Sequence, residues 1–245
     1  MSNSWLTQRI KNPQARLRLF CYPHAGGGAS SFNPWRAHLP STVELCPLEP
    51  PGRWTRHAEP PLRRIDELVE SFISELRGLL DLPYVLFGHS VGGFAMFEAA
   101  HRLATLGASP RHLIVAAREA PQFPLVHRMQ HLPEDELIAT LGEVYGAARM
   151  SAMADPEIRA LFLPALRADL EALETYDGAN KGPIAAPLSA FYGRSDPTFD
   201  ESRVQGWNAH TTAPFEAMVL EGDHFFVHAA ESGFLNHLRA ILDSP

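Results

Sequence analysis

The stretch Phe87-Gly88-His89-Ser90-Val91-Gly92-Gly93 decides the fold of this chain. It follows a short apolar run, 84–87, that predicts a buried strand, and it precedes a run rich in helix formers, 94–103. A G-x-S-x-G motif on a strand-to-helix turn holds its serine exposed at the top of a sheet. We therefore expect strained backbone at Ser90, with the two motif glycines leaving room for strand and helix to approach. The alternative is a glycine-rich turn with a bystander serine.

The composition is that of an ordinary globular protein, with 245 residues, 45% hydrophobic and 20% charged. This length suits one domain, residues 1–245, with a full hydrophobic core. No apolar run reaches the roughly 18 residues that a membrane span needs, and the N-terminal residues lack the apolar core of a secretory signal. A net charge of −7 argues against general nucleic-acid binding. We expect neither a membrane nor a nucleic acid as a partner.

The cysteines and histidines give no sign of a metal site. Cys21 and Cys46 both lie in apolar, strand-like runs, so we expect buried free thiols and a cytoplasmic protein. Neither cysteine has metal-ligand spacing, and the 12 histidines are scattered without a metal motif. We expect no metal and no cofactor.

Strand-like and helix-like segments alternate along most of the chain. Residues 1–15 look like a loose, polar leader. Strands are predicted at 17–22, 43–48, 84–87, 112–117, 187–192 and 215–220. Helices are predicted over 65–80, from the serine motif to about Gly107, and over 227–242. The alternation predicts an α/β fold with a mostly parallel, doubly wound sheet.

The alternation breaks between residues 121 and 183. Two or three amphipathic helices follow one another there without a strand, with candidates at Glu134 to Tyr145 and Glu157 to Tyr176. The segment is too long for an ordinary connection between a strand and a helix. We expect an inserted helical lid over the serine. The alternative is a helical decoration with no gating role.

A serine, an aspartate and a histidine each follow a predicted strand, in that order. Ser90 follows strand 84–87, Asp196 follows strand 187–192, and His224 follows strand 215–220. The carboxyl ends of parallel strands meet at one edge of a sheet. A serine nucleophile needs a base and a group that orients this base. The order therefore predicts Ser90 as nucleophile, Asp196 as orienting carboxylate and His224 as base.

Other residues compete for two of these roles. Asp200 and Asp223 are alternative carboxylates, and His24 and His89 are alternative bases. We expect Asp200 to lie in the following helical turn. Asp223 adjoins the predicted base in sequence, so its side chain should point elsewhere. A histidine beside the nucleophile normally packs under the elbow, which disfavours His89.

A glycine triplet follows the first predicted strand, in Pro23-His24-Ala25-Gly26-Gly27-Gly28. Such a turn leaves backbone N–H groups uncovered. In α/β-hydrolases this loop supplies one oxyanion donor, and the residue after the nucleophile supplies the other. Here those residues are Ala25 and Val91. The alternative is a phosphate-binding loop, which the lack of G-K-[ST] and of a well-spaced G-x-G-x-x-G disfavours.

Six pieces of the chain combine into a specific pattern. They are CYPHAGGGASSF at 21–32, LEPPGRWTRHAEPP at 48–61, FGHSVGGFAMFE at 87–98, AAREAP at 116–121, FYGRSDP at 191–197 and LEGDHFFVH at 220–228. Together they resemble the type II thioesterases, the free-standing editing hydrolases of polyketide and nonribosomal peptide synthesis. The resemblance covers nearly the whole chain.

The resemblance implies an α/β-hydrolase fold and hydrolysis of acyl groups from the phosphopantetheine arm of an acyl or peptidyl carrier protein. It assigns the triad to Ser90, Asp196 and His224, with oxyanion donors from the backbone of Ala25 and Val91. The chain departs from the family where Val91 replaces the more common methionine and where Asp223 replaces a glycine. We expect a monomer. Rival functions are a carboxylesterase acting on soluble esters, a product-releasing cyclase and a non-catalytic partner protein.

Carrier proteins of this kind are typically acidic, and this chain is acidic as well. Docking would then depend on a local basic patch. The alternative is that the arginines are ordinary solvated surface residues. The candidates by sequence are Arg53, Arg56, Arg63 and Arg64 around the proline-rich loop, and Arg149, Arg159 and Arg167 on the predicted lid.

Overall fold

A computed structural model describes residues 4–229 and 233–244. At its centre is a six-stranded sheet in which each strand runs parallel to its neighbours, in the order β2-β1-β3-β4-β5-β6. The strands are β1 (Leu17–Tyr22), β2 (Val43–Pro47), β3 (Tyr84–His89), β4 (His112–Ala116), β5 (Leu188–Gly193) and β6 (Phe215–Leu220). The predicted α/β class and parallel sheet are confirmed.

Helices cover both faces of the sheet. The α-helices among the described residues are α1 (Ile65–Arg77), α2 (Val91–Thr105), α3 (Glu134–Tyr145), α4 (Ala147–Met150), α5 (Pro156–Thr175), α6 (Glu201–Gln205) and α7 (Phe234–Asp243). The helix predicted over 227–242 begins later, at Phe234, after a short 3₁₀ turn at Phe226–His228. Part of that prediction, 230–232, lies outside the described residues. No helix in the described part of the chain has the length and apolarity needed to cross a membrane.

Each strand sends alternate side chains to two separate apolar cores, because successive residues of a strand point to opposite faces. In β1, Phe20 and Tyr22 join the core beneath α1 and α2. Leu19 and Cys21 join the opposite core, where α7 contributes Leu238. Burial on both faces explains why the strands read as nearly continuous apolar runs.

The strand order reverses between β1 and β3. The chain goes outward from β1 to β2 and then returns to place β3 on the other side of β1. Crevices at such reversals are where open α/β sheets bind ligands. Here the loop after β1 carries Ala25 and the turn after β3 carries Ser90, so the fold brings these two segments side by side.

The N-terminal segment is packed, and the expectation of a loose leader is wrong. Trp5 is 2% exposed, and its ring meets the ring of Phe72 in α1 edge-on at 5.1 Å. The backbone N–H of Trp5 donates to a carboxylate oxygen of Glu75 at 2.9 Å. Residues 1–3 lie outside the described residues. One large aromatic ring anchors a stretch whose polar composition gave no periodic signal.

The segment between β4 and β5 contains α3, α4 and α5, and it has an apolar cluster of its own. The cluster consists of Met129, Leu137, Leu141, Leu163, Leu166 and Leu170. Helices α3 and α5 coincide with the two predicted helices to within a residue. The side chain of Ala25 packs against this cluster. The helical segment therefore contacts the loop after β1 directly.

Candidate active site

Ser90 is held in a backbone conformation that most residues avoid. Its φ is 56° and its ψ is −118°, and it directly precedes the first residue of α2. A Cβ on Gly88 would overlap the backbone of Gly92, and a Cβ on Gly92 would lie 2.5 Å from the Tyr22 carbonyl oxygen. The glycines therefore let β3, α2 and β1 approach closely around the serine, and the strain is concentrated at Ser90 itself.

His224 and Asp196 form a buried hydrogen-bonded pair. The distance from His224 Nδ1 to Asp196 Oδ2 is 2.7 Å, and both residues are 4% exposed. The other carboxylate oxygen, Oδ1, accepts from the Thr198 N–H at 2.9 Å and from the Thr198 hydroxyl at 2.8 Å. Burial alone would raise the pKa of Asp196, but the hydrogen bonds from His224 and Thr198 outweigh it and lower this pKa. The carboxylate is thus ionised and fixed in place.

Backbone contacts bring these two residues to the edge of the sheet that bears Ser90. The Ser195 N–H donates to the Gly222 carbonyl at 2.9 Å, which ties the two loops together. A Cβ on Gly193 would overlap the Asp223 carbonyl, so this approach requires glycine. His89, the residue before the serine, places its Nε2 2.8 Å from the His224 carbonyl oxygen. Because a carbonyl only accepts, His89 is the donor.

The competing carboxylates are engaged elsewhere. Asp200 caps α6 by accepting from the N–H groups of Ser202 and Arg203. Asp223 accepts from Arg149 at 2.9 Å and from the Phe225 N–H at 2.8 Å. Each has a local role that satisfies its oxygens, and of the three carboxylates Asp196 is the one that the structure brings to His224.

Three histidines cluster next to His224, which the ring of His89 approaches to 5.5 Å between centroids, although their positions in the sequence are far apart. Nitrogen atoms of His24, His89 and His228 lie within 4.8 Å of one another. Burial, and then the neighbouring imidazoles, lower the pKa of His24 to about 3 and the pKa of His89 well below its ordinary value. Imidazole nitrogen is a common ligand of Zn²⁺. Nitrogen atoms bound to one tetrahedral ion are only about 3.4 Å apart, which is shorter than the 4.8 Å within which these three lie. Burial favours the neutral form of His24 and His89, whereas His228 is exposed.

The two predicted oxyanion donors lie on the elements that meet at the strand reversal. Val91 is the first residue of α2 and is fully buried. Ala25 lies in the loop after β1, next to Gly26, whose φ is 74°. The Gly26 N–H donates to a carboxylate oxygen of Asp169 in α5 at 2.8 Å. No sequence pattern signals this contact, because Asp169 lies far along the chain within an ordinary amphipathic helix.

A cavity of about 490 Å³ opens at the loop after β1, where Ala25 and Gly26 line it. Helical-segment residues supply much of its apolar lining, and Ala25 and Phe225 line it from the sheet side. The contributions of the helical segment are Met150, Met153, Phe162 and Leu166. The apolar surface and the size suit an acyl chain. Separately from this lining, the ring of Tyr145 in α3 lies against His224, with 4.7 Å between the two ring centroids.

A family model described as a thioesterase domain matches residues 17–242. The chain belongs to the thioesterase family. It is therefore a thioester hydrolase, and the α/β-hydrolase fold expected from the resemblance is confirmed by thioesterases of known structure.

Individual relatives are similar over nearly their whole length. The gramicidin S biosynthesis protein GrsT of Aneurinibacillus migulanus is 35% identical over 231 residues, which cover 94% of this chain and 90% of that protein. The RedJ thioesterase from the prodiginine pathway of Streptomyces coelicolor superposes with a TM-score of 0.86 at 34% identity, covering 93% of this chain and 91% of RedJ. The type II thioesterase BorB from the borrelidin cluster gives 0.85 at 34% identity, covering 94% of each chain. The resemblance to type II thioesterases is confirmed.

The interpretation of Arg53 and Arg56 as surface docking residues is wrong. Arg53 is 2% exposed and Arg56 is 6% exposed. Arg56 donates to the Glu49 carbonyl at 2.8 Å and lies over the Trp5 ring at 4.9 Å. Arginines in a proline-rich loop look solvated in sequence, but here the loop folds inward and uses them to satisfy buried acceptors.

Proposed function

We propose that this thioesterase hydrolyses acyl groups from the phosphopantetheine arm of an acyl or peptidyl carrier protein through an acyl intermediate on Ser90. The observation that carries the proposal is the buried 2.7 Å hydrogen bond between His224 and Asp196, at the sheet edge where Ser90 stands in its strained turn. The names of similar proteins support the partner class, since BorB is a type II thioesterase of a biosynthetic cluster and GrsT a gramicidin S biosynthesis protein.

The proposed first step is attack by Ser90 on the thioester carbonyl. Asp196 accepts a hydrogen bond from His224 Nδ1, so the proton resides there and Nε2 is left as the basic nitrogen. His224 takes the serine proton as the Oγ–C bond forms. The carbonyl oxygen becomes an oxyanion that the N–H groups of Ala25 and Val91 stabilise, each donor being worth roughly 10²–10³ in rate.

The proposed second step releases the thiol and then the acid. The tetrahedral adduct collapses, the C–S bond breaks, and His224 returns its proton to the departing sulfur. A water molecule then enters, His224 removes one of its protons, and the hydroxide attacks the acyl ester on Ser90. A second oxyanion forms and collapses, the bond between the Ser90 oxygen and the acyl carbon breaks, and His224 returns its proton to that oxygen, which leaves a free acid and the regenerated serine. The triad supplies every proton transfer in this cycle.

The buried free thiols of Cys21 and Cys46 support a reducing, cytoplasmic setting. Such a setting also suits a partner that presents its substrate on a thiol arm. A monomer is the simplest assembly that leaves the cavity mouth open to a carrier protein.

The test is incubation with a panel of acylated carrier proteins, followed by intact-protein mass measurement. We expect the mass to return to that of the free phosphopantetheine form, with the acid released, and Ser90→Ala to leave the acylated mass unchanged. A fluorophosphonate probe should label the wild type and spare Ser90→Ala. Release of a cyclised product would indicate a cyclase. Cleavage of soluble esters with no carrier-bound substrate turned over would indicate a carboxylesterase.

A further inference from the structure

Asp169 and Arg53 form an ion pair that is almost completely removed from solvent. Their side chains are 0% and 1% exposed. The pairing is bidentate, with Arg53 Nη1 to Asp169 Oδ2 at 2.5 Å and Arg53 Nη2 to Asp169 Oδ1 at 2.9 Å. Asp169 belongs to α5 in the helical segment, and Arg53 belongs to the loop after β2. The pair joins two elements that are distant in sequence.

The pair also holds the loop that carries the proposed oxyanion donor Ala25. Asp169 Oδ2 accepts the Gly26 N–H at 2.8 Å, and Arg53 Nη1 donates to the Gly27 carbonyl at 3.2 Å. The ion pair therefore holds the Gly26 N–H through Asp169 and the Gly27 carbonyl through Arg53. Gly26 has a φ of 74°, in the left-handed region that glycine adopts readily.

Apolar contacts from the same helix reinforce this arrangement. The nearest heavy atom to a Cβ built on Gly26 is Leu166 Cδ1, at 3.4 Å. Leu166 also lines the cavity and belongs to the apolar cluster against which Ala25 packs. One face of α5 thus shapes the cavity and supports the oxyanion loop. A shift of α5 would alter both.

Stability alone is a poor explanation of this pair. The free-energy cost of removing two charges from water offsets much of their attraction. Well-packed apolar residues therefore often replace a buried ion pair without loss of stability. The distinguishing feature is that the hydrogen bonds beyond the pair itself end on the backbone of Gly26 and Gly27. Without the pair, the Gly27 N–H still donates to the His24 carbonyl at 2.9 Å, but the Gly26 N–H and the Gly27 carbonyl lose the partners that hold them against α5.

We propose that Asp169 and Arg53 are positioning residues that orient the Ala25 N–H for the transition state, and that they couple the oxyanion hole to the seating of α5. This rests on the proposed function, because it presupposes an oxyanion at that loop. When α5 is seated, the donor is aligned. When α5 moves away, the Gly26 contact to Asp169 breaks and the donor loses its direction.

The test compares charge-removing and pair-replacing variants on a small acyl thioester. Asp169→Asn is the first variant. The second is the double variant Arg53→Met with Asp169→Leu, which leaves no charge buried and should stay folded even if the single variant does not. We expect kcat to fall about 10-fold to 100-fold, less than the full value of one oxyanion donor, while KM changes less than about threefold. The matched control is Glu171→Gln. Glu171 lies on α5 like Asp169, but its ion pair to Arg63 is exposed, so breaking this pair should leave kcat unchanged.

A second measurement separates positioning from folding. The serine oxygen attacks the carbonyl carbon of a trifluoromethyl ketone while His224 takes the serine proton, and the ketone oxygen becomes an oxyanion, so the affinity for this inhibitor reports the donor geometry. The folded double variant should lose this affinity in proportion to its loss of kcat/KM. If that variant is folded and keeps both kcat and inhibitor affinity within twofold of the wild type, the positioning role is refuted. Activity that survives Ser90→Ala would instead refute the proposed function, so the two failures are distinct.

Discussion

At the scale of single residues, Asp196 carries the most specific prediction. Both of its oxygens accept hydrogen bonds, one from His224 and one from Thr198. An asparagine of the same shape would offer an N–H where the carboxylate accepts, and it would favour the wrong tautomer of His224. We expect Asp196→Asn to lower kcat by about 10⁴, the size of the same change in a serine protease triad. Steady-state hydrolysis of a small thioester measures this.

Two aspartates provide the controls for this prediction. Asp200→Asn should keep the cap of α6, because asparagine caps as well as aspartate does, and turnover should stay within a few-fold of the wild type. Asp223→Asn weakens the contact to Arg149 and should also be mild. Near-normal turnover in Asp196→Asn, with a large loss in either control, would show that the orienting carboxylate has been misassigned.

His24 carries a prediction about acid sensitivity. Burial lowers its pKa from 6.5 to about 3 in the folded protein. Above pH 6.5 neither the folded nor the unfolded chain protonates it, so it has no effect there. As the pH falls from 6.5 towards 3, the unfolded chain takes up a proton that the folded protein refuses, and stability is lost. The free energy of unfolding should fall by about 1.4 kcal/mol per pH unit for this one group.

The measurement is urea unfolding of the wild type and of His24→Gln at several pH values between 4 and 7.5. Glutamine does not titrate, so the variant should show a slope shallower by about that amount, whatever its absolute stability. Parallel slopes in the two proteins would mean that His24 is not held neutral in the folded state.

Single residues also mark where sequence reasoning succeeds and where it stops. The strain at Ser90 follows from a local motif, since the turn and its glycines are neighbours in the chain. The burial of Arg53 and Trp5 does not follow, because their partners Asp169 and Phe72 lie far away in sequence. A charged or aromatic residue in a polar loop has no periodic neighbours to reveal that it turns inward.

At the scale of elements, the close approach of the loops after β5 and β6 requires a glycine at position 193. A Cβ on Gly193 would overlap the carbonyls of Gly222 and Asp223, and relief would push apart the loops that hold Asp196 and His224. We expect Gly193→Ala to destabilise the protein by about 1–3 kcal/mol, as overpacking does, and to lower kcat as well. Thermal unfolding and thioester turnover measure the two effects.

Gly182→Ala is the matched control, because its Cβ would meet nothing within 4 Å. It should leave both the unfolding temperature and kcat close to the wild-type values. If Gly193→Ala behaves in the same way, the close approach of the two loops is not what holds the pair together.

The helical segment between β4 and β5 carries a prediction about motion. Helix α4 buries no side chain and α3 buries only Leu137 and Leu141, so little apolar contact opposes their opening. Gating elements are usually among the less stable regions of a protein. We expect amide hydrogen exchange to be faster in α3 and α4 than in β1 and β3, and slower around Asp169 than at the start of α5. Protection equal to that of the central strands throughout would contradict the lid interpretation.

The elements themselves were predictable because apolar periodicity is a local property. Apart from the start of α7, the strands and the longer helices fall within a few residues of their predicted bounds, including α3 at Glu134–Tyr145. The start of α7 was predicted at 227 but lies at Phe234, because Val227 is apolar like a helix start and belongs instead to a short 3₁₀ turn. What periodicity cannot supply is the contact of α5 with the loop after β1, because packing between elements depends on the whole fold.

At the scale of the whole molecule, charge bears on partner choice. The chain has a net charge of −7, so an acidic carrier protein would meet overall repulsion, and docking would need a local basic patch. With Arg53 and Arg56 buried, the exposed candidates near the proline-rich loop are Arg63 and Arg64, whose side chains are 52% and 55% exposed. Each is paired with one carboxylate, at Glu171 and Asp66, which moderates but does not remove its field.

We expect the double variant Arg63→Glu with Arg64→Glu to raise KM for a carrier-bound acyl group and to leave the same acyl group on a small thiol unaffected. The reason is that charge reversal acts on the encounter with an acidic partner and not on the chemistry. The salt dependence of kcat/KM should also become weaker, since a steering attraction has been removed. Arg77→Glu, at the far end of α1, is the control with the same kind of charge change and should have little effect. Equal efficiency on both substrates in the wild type, with no salt effect on either, would favour an esterase that acts on small soluble substrates.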